Sequence, residues 1–177
     1  CQIIFAPFFK KIKKFSKKLV FCKNEHKNVN FSLNLEKIEK YTNQGFKSIA
    51  IIGKDMKECK NIKKKLEKHN FEIKLIQSKD SEYNAGISIV PSYLAKGLEF
   101  DYVFMIGMEE GLFPSQRCME EDELEEERRL MYVGVTRGRK ALYVVHARQR
   151  MLYGRTQYCM PSSFLKELPR AAIKNLS

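Results

Sequence analysis

Between Gly45 and His146 short apolar runs recur, separated by stretches with helical spacing, and few folds accommodate that rhythm. Lys47-Ser48-Ile49-Ala50-Ile51-Ile52 reads as a strand buried on both faces, because its apolar residues are consecutive rather than alternating. Met56, Cys59, Ile62 and Leu66 then mark one face of a helix. Phe71 to Ile76, Gly86 to Val90, Asp101 to Ile106 and Ala141 to His146 give four further strands. Such alternation predicts a mainly parallel sheet with helices on its faces, in which ligands gather at the carboxyl ends of strands. A helix is predicted from about Asp122 to Val135, where Asp122 and Glu125 have capping-box spacing and acidic residues crowd the first turn, favoured there by the helix dipole. Pro161 to Pro169 reads as a short helix bracketed by prolines.

Residues 1–44 read differently. Phe8, Ile12, Phe15, Leu19 and Cys22 recur at helical spacing among Lys10, Lys11, Lys13, Lys14, Lys17 and Lys18, which predicts a basic amphipathic helix. It can serve a membrane surface, a nucleic acid, or simply the packing of one face on a neighbour. Asn34 can cap a second helix carrying Leu35, Ile38 and Tyr41, with Gly45 as its stop. The expected organisation is a basic helical lead-in over 1–44, packing on or leading into a domain over 45–177.

With 33 Lys+Arg against 21 Asp+Glu, the net charge of +12 favours polyanionic partners, nucleic acid first. Cys1, Cys22, Cys59, Cys118 and Cys159 contain no C-x-x-C pair, and His26, His69 and His146 lack metal-ligand spacing, so neither a zinc site nor a disulfide framework is expected. Dispersed thiols suit a reducing cytoplasm, and no apolar run reaches the length of a membrane span.

Two segments carry the chemistry. Ala95-Lys96-Gly97-Leu98-Glu99-Phe100-Asp101 follows the strand ending at Val90, and Glu125-Glu126-Glu127-Arg128-Arg129-Leu130-Met131-Tyr132-Val133-Gly134-Val135-Thr136-Arg137 forms the acidic-to-basic helix. In order and wording they resemble two signature motifs of the UvrD/Rep-like superfamily 1 DNA helicases, on the second of that family's two RecA-like motor domains. Detailed likeness runs from about Ser48 to Pro169. No G-x-x-x-x-G-K-[ST] loop is present: at Gly53-Lys54, Asp55 stands where a magnesium-binding hydroxyl belongs and Ser48 where the first glycine belongs. The fold implied is α/β, a RecA-like, P-loop NTPase-like three-layer domain with a mainly parallel sheet and no Walker A loop. The opening Cys1 fits one motor domain of a longer polypeptide, and the short interval from Lys54 to Ala95 leaves no room for the large accessory subdomain that the family inserts there.

The resemblance assigns roles. Arg137 would be the arginine finger, whose planar, permanently charged fork stabilises charge on the transferring phosphoryl group. Gly97 would let the backbone approach the nucleotide and Glu99 would accept a ribose hydroxyl, so that Arg137 and the Gly97 turn form one wall of an ATP pocket. Lys54 stands near the place of a second phosphate-sensing arginine, with Lys57 and Lys60 as alternative cations. Tyr93, where the family usually has a DNA-contacting histidine, would stack on a base, and Lys96 would meet nucleic-acid phosphate or an acidic neighbour. Arg148, Arg150 and Arg155, interleaved with Tyr153 and Tyr158, read as a basic loop or as part of a DNA track. Glu109-Glu110 resembles a magnesium-holding acid pair but has no phosphate loop to serve. Arg128 and Arg129 read as ion-pair residues.

The activity implied is an ATP-dependent, 3′ to 5′ DNA helicase or translocase using ATP and Mg²⁺, with single-stranded DNA and an N-terminal RecA-like domain as partners and no membrane. This segment alone would bind neither cofactor and turn over nothing. The alternative is a non-catalytic nucleic-acid or protein-binding module derived from a helicase half.

Overall fold

The computed structural model describes residues 18–24, 40, 48–69, 71–78, 86–116, 120–147, 149–152, 155–168 and 173–176. Its main sheet has seven strands, β1 (Lys18–Asn24), β2 (Ser48–Gly53), β3 (Ile73–Leu75), β4 (Gly86–Pro91), β5 (Phe100–Met105), β6 (Gly138–Ala147) and β9 (Ile173–Leu176), in the order β3-β4-β2-β5-β6-β1-β9. Every recorded pairing within it is parallel. Two strands, β7 (Gln149–Leu152) and β8 (Arg155–Tyr158), form a separate antiparallel hairpin.

Two helices cover opposite faces. The first, α1 (Met56–Leu66), buries Cys59, Ile62 and Leu66 against Ile49, Ile51, Ile87, Ile89, Phe104 and Tyr143. The second, α2 (Glu121–Val135), buries Met131, Tyr132 and Val135 against Ala50, Ile52, Val103, Met105, Leu142 and Val144. Consecutive residues of β2 thus feed alternate cores, which is why the strand is apolar throughout and wholly buried. Phe104 and Tyr143 stack across β5 and β6 with centroids 4.7 Å apart. The three-layer α/β expectation holds.

The lead-in requires a correction. Lys18–Asn24, the end of the helix expected over Phe8–Cys22, is strand β1, inserted between β6 and β9. The unbroken run Leu19-Val20-Phe21-Cys22 suits a strand flanked on both sides, and pairing with two neighbours outweighs a helical spacing. The sheet therefore draws on both sides of the boundary placed at residue 45. Residues 8–17 lie outside the described residues, as does the helix expected to start at Asn34 apart from Lys40, which is helical. At α2, Glu120 is the N-cap and makes no side-chain capping bond, so the expected Asp122–Glu125 box is not formed.

At the carboxyl edge of the sheet a polar clasp closes the domain. Lys54, just beyond β2, sends its ammonium to the Leu112 carbonyl at 2.9 Å and into an ion pair with Glu127 of α2. The other Glu127 oxygen accepts the Ser115 N–H at 2.8 Å, and the ammonium lies 5.8 Å from the Phe113 ring centroid. Glu109, 1% exposed, accepts the Ala147 N–H, and Glu110 accepts from the Ser163 N–H. Backbone bonds from Glu110 N to Met160 O (2.9 Å) and from Ser162 N to Met108 O (3.0 Å) tie the loop after β5 to the 3₁₀ turn Ser163–Glu167. That turn is held to α2 in turn: Arg128 pairs with Glu125 and Glu167, and the Tyr132 hydroxyl donates to Glu167 at 2.6 Å.

Three outcomes are expected. Glu127→Ala removes the counter-ion of a part-buried ammonium and the carboxylate that accepts the Ser115 N–H, and should cost about 2–3 kcal/mol in urea denaturation. Burial pushes the Cys59 thiol up to about 12, so it should resist alkylation in the folded protein at pH 8 and react on unfolding. Because an unfolded thiol ionises first, this site should also remove stability as pH rises from about 9 toward 12.

Candidate nucleotide and nucleic-acid site

Parallel strands begin on one edge and end on the other, and the candidate residues divide accordingly. At the amino edge, β5 and β6 start side by side, with Phe100 paired to Gly138. The Phe100 N–H donates to the Arg137 carbonyl at 3.0 Å. Arg137 leaves α2 through Thr136, whose hydroxyl donates to the Val133 carbonyl at 2.9 Å. The guanidinium then folds back: Nε donates to Val133 O at 2.9 Å, Nη2 to Thr136 Oγ1 at 2.7 Å, and Nη1 to Leu98 O at 3.1 Å. Of the five N–H groups of a guanidinium, one on each terminal nitrogen is left without an acceptor among the described residues. Burial lowers the Arg137 pKa and the nearby Glu99 carboxylate raises it. Arginine's intrinsic basicity keeps the group charged at neutral pH.

The Leu98 carbonyl belongs to the first motif. Gly97 has φ +85° with open space where a Cβ would project, so the turn requires glycine for its backbone conformation and not for lack of room. Ala95 is fully buried beneath α2, anchoring a chain that crosses the sheet from the end of β4 to the start of β5, while Lys96, Gly97 and Glu99 are exposed. The crossing uses one 3₁₀ turn, Ser92–Leu94, and no α-helix. Gly97, Glu99 and Arg137 therefore meet at the amino edge, and not at the carboxyl end of the strand ending at Val90, where the sheet pattern led ligands to be expected.

Lys54 is not brought to them. It follows the carboxyl end of β2, and at about 3.3 Å per residue that edge is about 20 Å from the start of β5. Its ammonium is engaged by Glu127 and Leu112, as described above. The shared pocket expected for Lys54 and Arg137 is thus corrected by strand direction: one residue ends a strand, the other precedes one. Lys57 and Lys60 are exposed on α1, which starts at the same carboxyl edge.

Tyr93 does stand at the carboxyl edge, 47% exposed, in the 3₁₀ turn whose Ser92 hydroxyl donates to Lys54 O at 2.7 Å. Arg155 and Tyr158 are exposed on the β7–β8 hairpin, in the segment read from sequence as a basic loop or part of a DNA track, whereas Arg148 and Tyr153 lie outside the described residues. Sequence reasoning also missed a charge cluster beside Arg137: Arg139 and Lys140 each approach Asp101 at 3.5 Å, and Asp101 N donates to Ser48 Oγ. Its only sequence signal was Arg139-Lys140 at a strand start, which specifies no partner.

Comparison with known proteins bears on this arrangement. Residues 76–149 match the model of the UvrD-like helicase C-terminal domain. The chain is 46% identical over 101 residues to the ATP-dependent DNA helicase PcrA of Staphylococcus aureus, a match covering 55% of this chain and 14% of PcrA. It is 48% identical over 97 residues to DNA helicase II of Haemophilus influenzae, covering 54% and 13%. The chain thus spans about one-seventh of the length of these relatives. In fold it resembles the crystal structure of the C-terminal domain of a possible DNA helicase from Lactobacillus plantarum WCFS1, with TM-score 0.64, 25% identity, and 90% and 84% of the two chains covered. In the described residues no helix is long and apolar enough to cross a membrane. Both signature motifs lie inside the matched segment and the fold is shared over most of the chain's length, so this chain is similar to the UvrD-like helicase C-terminal domain in sequence over residues 76–149 and in fold.

Proposed function

We propose that this domain is the second RecA-like motor of an ATP-dependent, 3′ to 5′ DNA helicase or translocase, with Arg137 as its arginine finger. The observation carrying this reading is the fork of Arg137 held at the amino edge by Leu98 O, beside Glu99, with two N–H groups still unassigned. A residue that must stabilise charge on phosphoryl oxygens needs such prior orientation, because ordering a flexible arginine during the reaction would cost part of what it supplies. Gly97 and Glu99 complete this wall, the backbone approaching the nucleotide and the carboxylate accepting a ribose hydroxyl. ATP and Mg²⁺ would be held chiefly by the first RecA-like domain, where a phosphate loop belongs. The segment by itself would then be inactive. Single-stranded DNA would meet Tyr93 by stacking and Lys96 through phosphate, with Lys54 bracing α2 rather than touching nucleotide.

In the full-length polypeptide, Arg137→Ala should reduce DNA-stimulated ATP hydrolysis about a thousandfold, and Arg137→Lys should recover little of it. Single-strand affinity should stay within a few fold; turnover retained in steady-state assays would remove Arg137 from this role. The isolated chain should bind single strands with affinity that falls steeply from about 50 to 200 mM salt, and Tyr93→Ala should weaken it by about 1–3 kcal/mol in anisotropy titrations.

A further inference from the structure

The sheet face opposite α2 carries a surface that none of these assignments uses. Helix α1 buries Cys59, Ile62 and Leu66. At about 100° per residue, Lys57, Lys60 and Lys64 project within about 60° of one another on the opposite side. All three are exposed, and Lys68 continues beyond them, also exposed, in the 3₁₀ turn Glu67–His69. Among the described residues no ion pair or hydrogen bond is recorded for these four ammonium groups. The acids of this helix are engaged elsewhere: Asp55 caps it, Glu58 accepts the Lys54 N–H, and Glu67 lies 3.6 Å from Lys63.

Like charges three and four residues apart on a helix repel, so the stripe is a small standing cost that an external polyanion removes. From Lys57 to Lys68 it runs about 16 Å, starting at the carboxyl edge beside Lys54 and heading toward the amino edge. Duplex DNA presents a phosphate charge about every 1.7 Å along its axis, so three or four ammonium groups can be matched over that length. The kind of nucleic acid follows from what the helix lacks. The exposed large hydrophobic residues among those described are Tyr93, Tyr158 and Met160, none of them on α1. Single strands are held largely by stacking on aromatic rings, whereas point charges alone read a backbone.

We propose that the outer face of α1, through Lys57, Lys60, Lys64 and Lys68, docks the phosphate backbone of double-stranded DNA without regard to sequence. This surface is separate from Arg137 and Glu99, and the proposal holds whether or not Arg137 serves as a finger.

The test titrates a labelled blunt-ended duplex with the 177-residue chain across a salt series. One variant carries Lys57→Gln, Lys60→Gln and Lys64→Gln. A second removes the same charge from exposed positions elsewhere, Lys74→Gln, Arg129→Gln and Lys166→Gln. The first should lower the slope of log affinity against log salt by about 2.7, at roughly 0.9 per lost phosphate contact, and weaken binding at least tenfold at low salt. The second should leave the slope within about one unit of the parent, and a Lys→Arg triple on α1 should restore it. Equal losses in both Gln variants would mean that net charge alone attracts the duplex, which overturns the proposal. So would an α1 variant that loses single-strand affinity as severely as duplex affinity. Coincident thermal melts of parent and variants would show that neither result comes from unfolding.

Discussion

All recorded pairings of the seven-stranded sheet run the same way, and this one constraint sorts the chemistry of the chain onto two edges. Whatever precedes a strand lies at the amino edge, and whatever follows one lies at the carboxyl edge. Arg137 and Glu99 precede β6 and β5, whereas Lys54 and Tyr93 follow β2 and β4. A short chain crossing, anchored by Ala95 beneath α2, carries the chain from Tyr93 at one edge to Glu99 at the other.

Helix α2 connects the edges mechanically. Glu127, near its middle, is clamped by Lys54 and Ser115 at the carboxyl edge, and Arg137, just past its end, is held by Leu98 at the amino edge about 15 Å further along. Between them Met131 and Tyr132 bury the helix on the sheet, and Arg128 and Tyr132 bind the Ser163–Glu167 turn through Glu167. The second half of the helix is thus fixed by charged hydrogen bonds at Glu127 and Arg137 and by apolar packing between them. Its two ends cannot shift independently without breaking one of those contacts, and each costs on the order of 1–3 kcal/mol to lose. That rigidity is what an orienting scaffold for a charged catalytic group requires.

The electrostatics are equally divided. Acidic residues of the described chain are largely spent internally: Glu109 and Glu110 on backbone N–H groups, Glu127 on Lys54, Asp101 between Arg139 and Lys140. Over the whole sequence the net charge is +12, and among the described residues the α1 lysines form an ordered exposed row. An excess of this size attracts nucleic acid at long range, and local geometry then decides which face engages.

Much of the architecture was legible from sequence, because burial on both faces leaves a mark that composition cannot hide. The apolar runs at Ile49–Ile52 and Val103–Met105, and the helical spacing of Cys59, Ile62 and Leu66, determined α/β layering without any tertiary information. The acidic first turn marked α2 to within a residue of its start. The motif wording likewise singled out Gly97, Glu99 and Arg137, which the fold brings together. Strand β1 escaped because its apolar residues also fit a helical period, and only pairing with β6 and β9 separates the two readings. The partner of Lys54 escaped for a similar reason: an ion pair to Glu127 spans distant parts of the chain, and sequence order carries no sign of which edge either residue occupies. Local pattern, in short, determined which elements form and which residue types are available for chemistry. Only the direction and order of the strands decided which of them share an edge, because proximity across a parallel sheet depends on where each strand begins and ends in space.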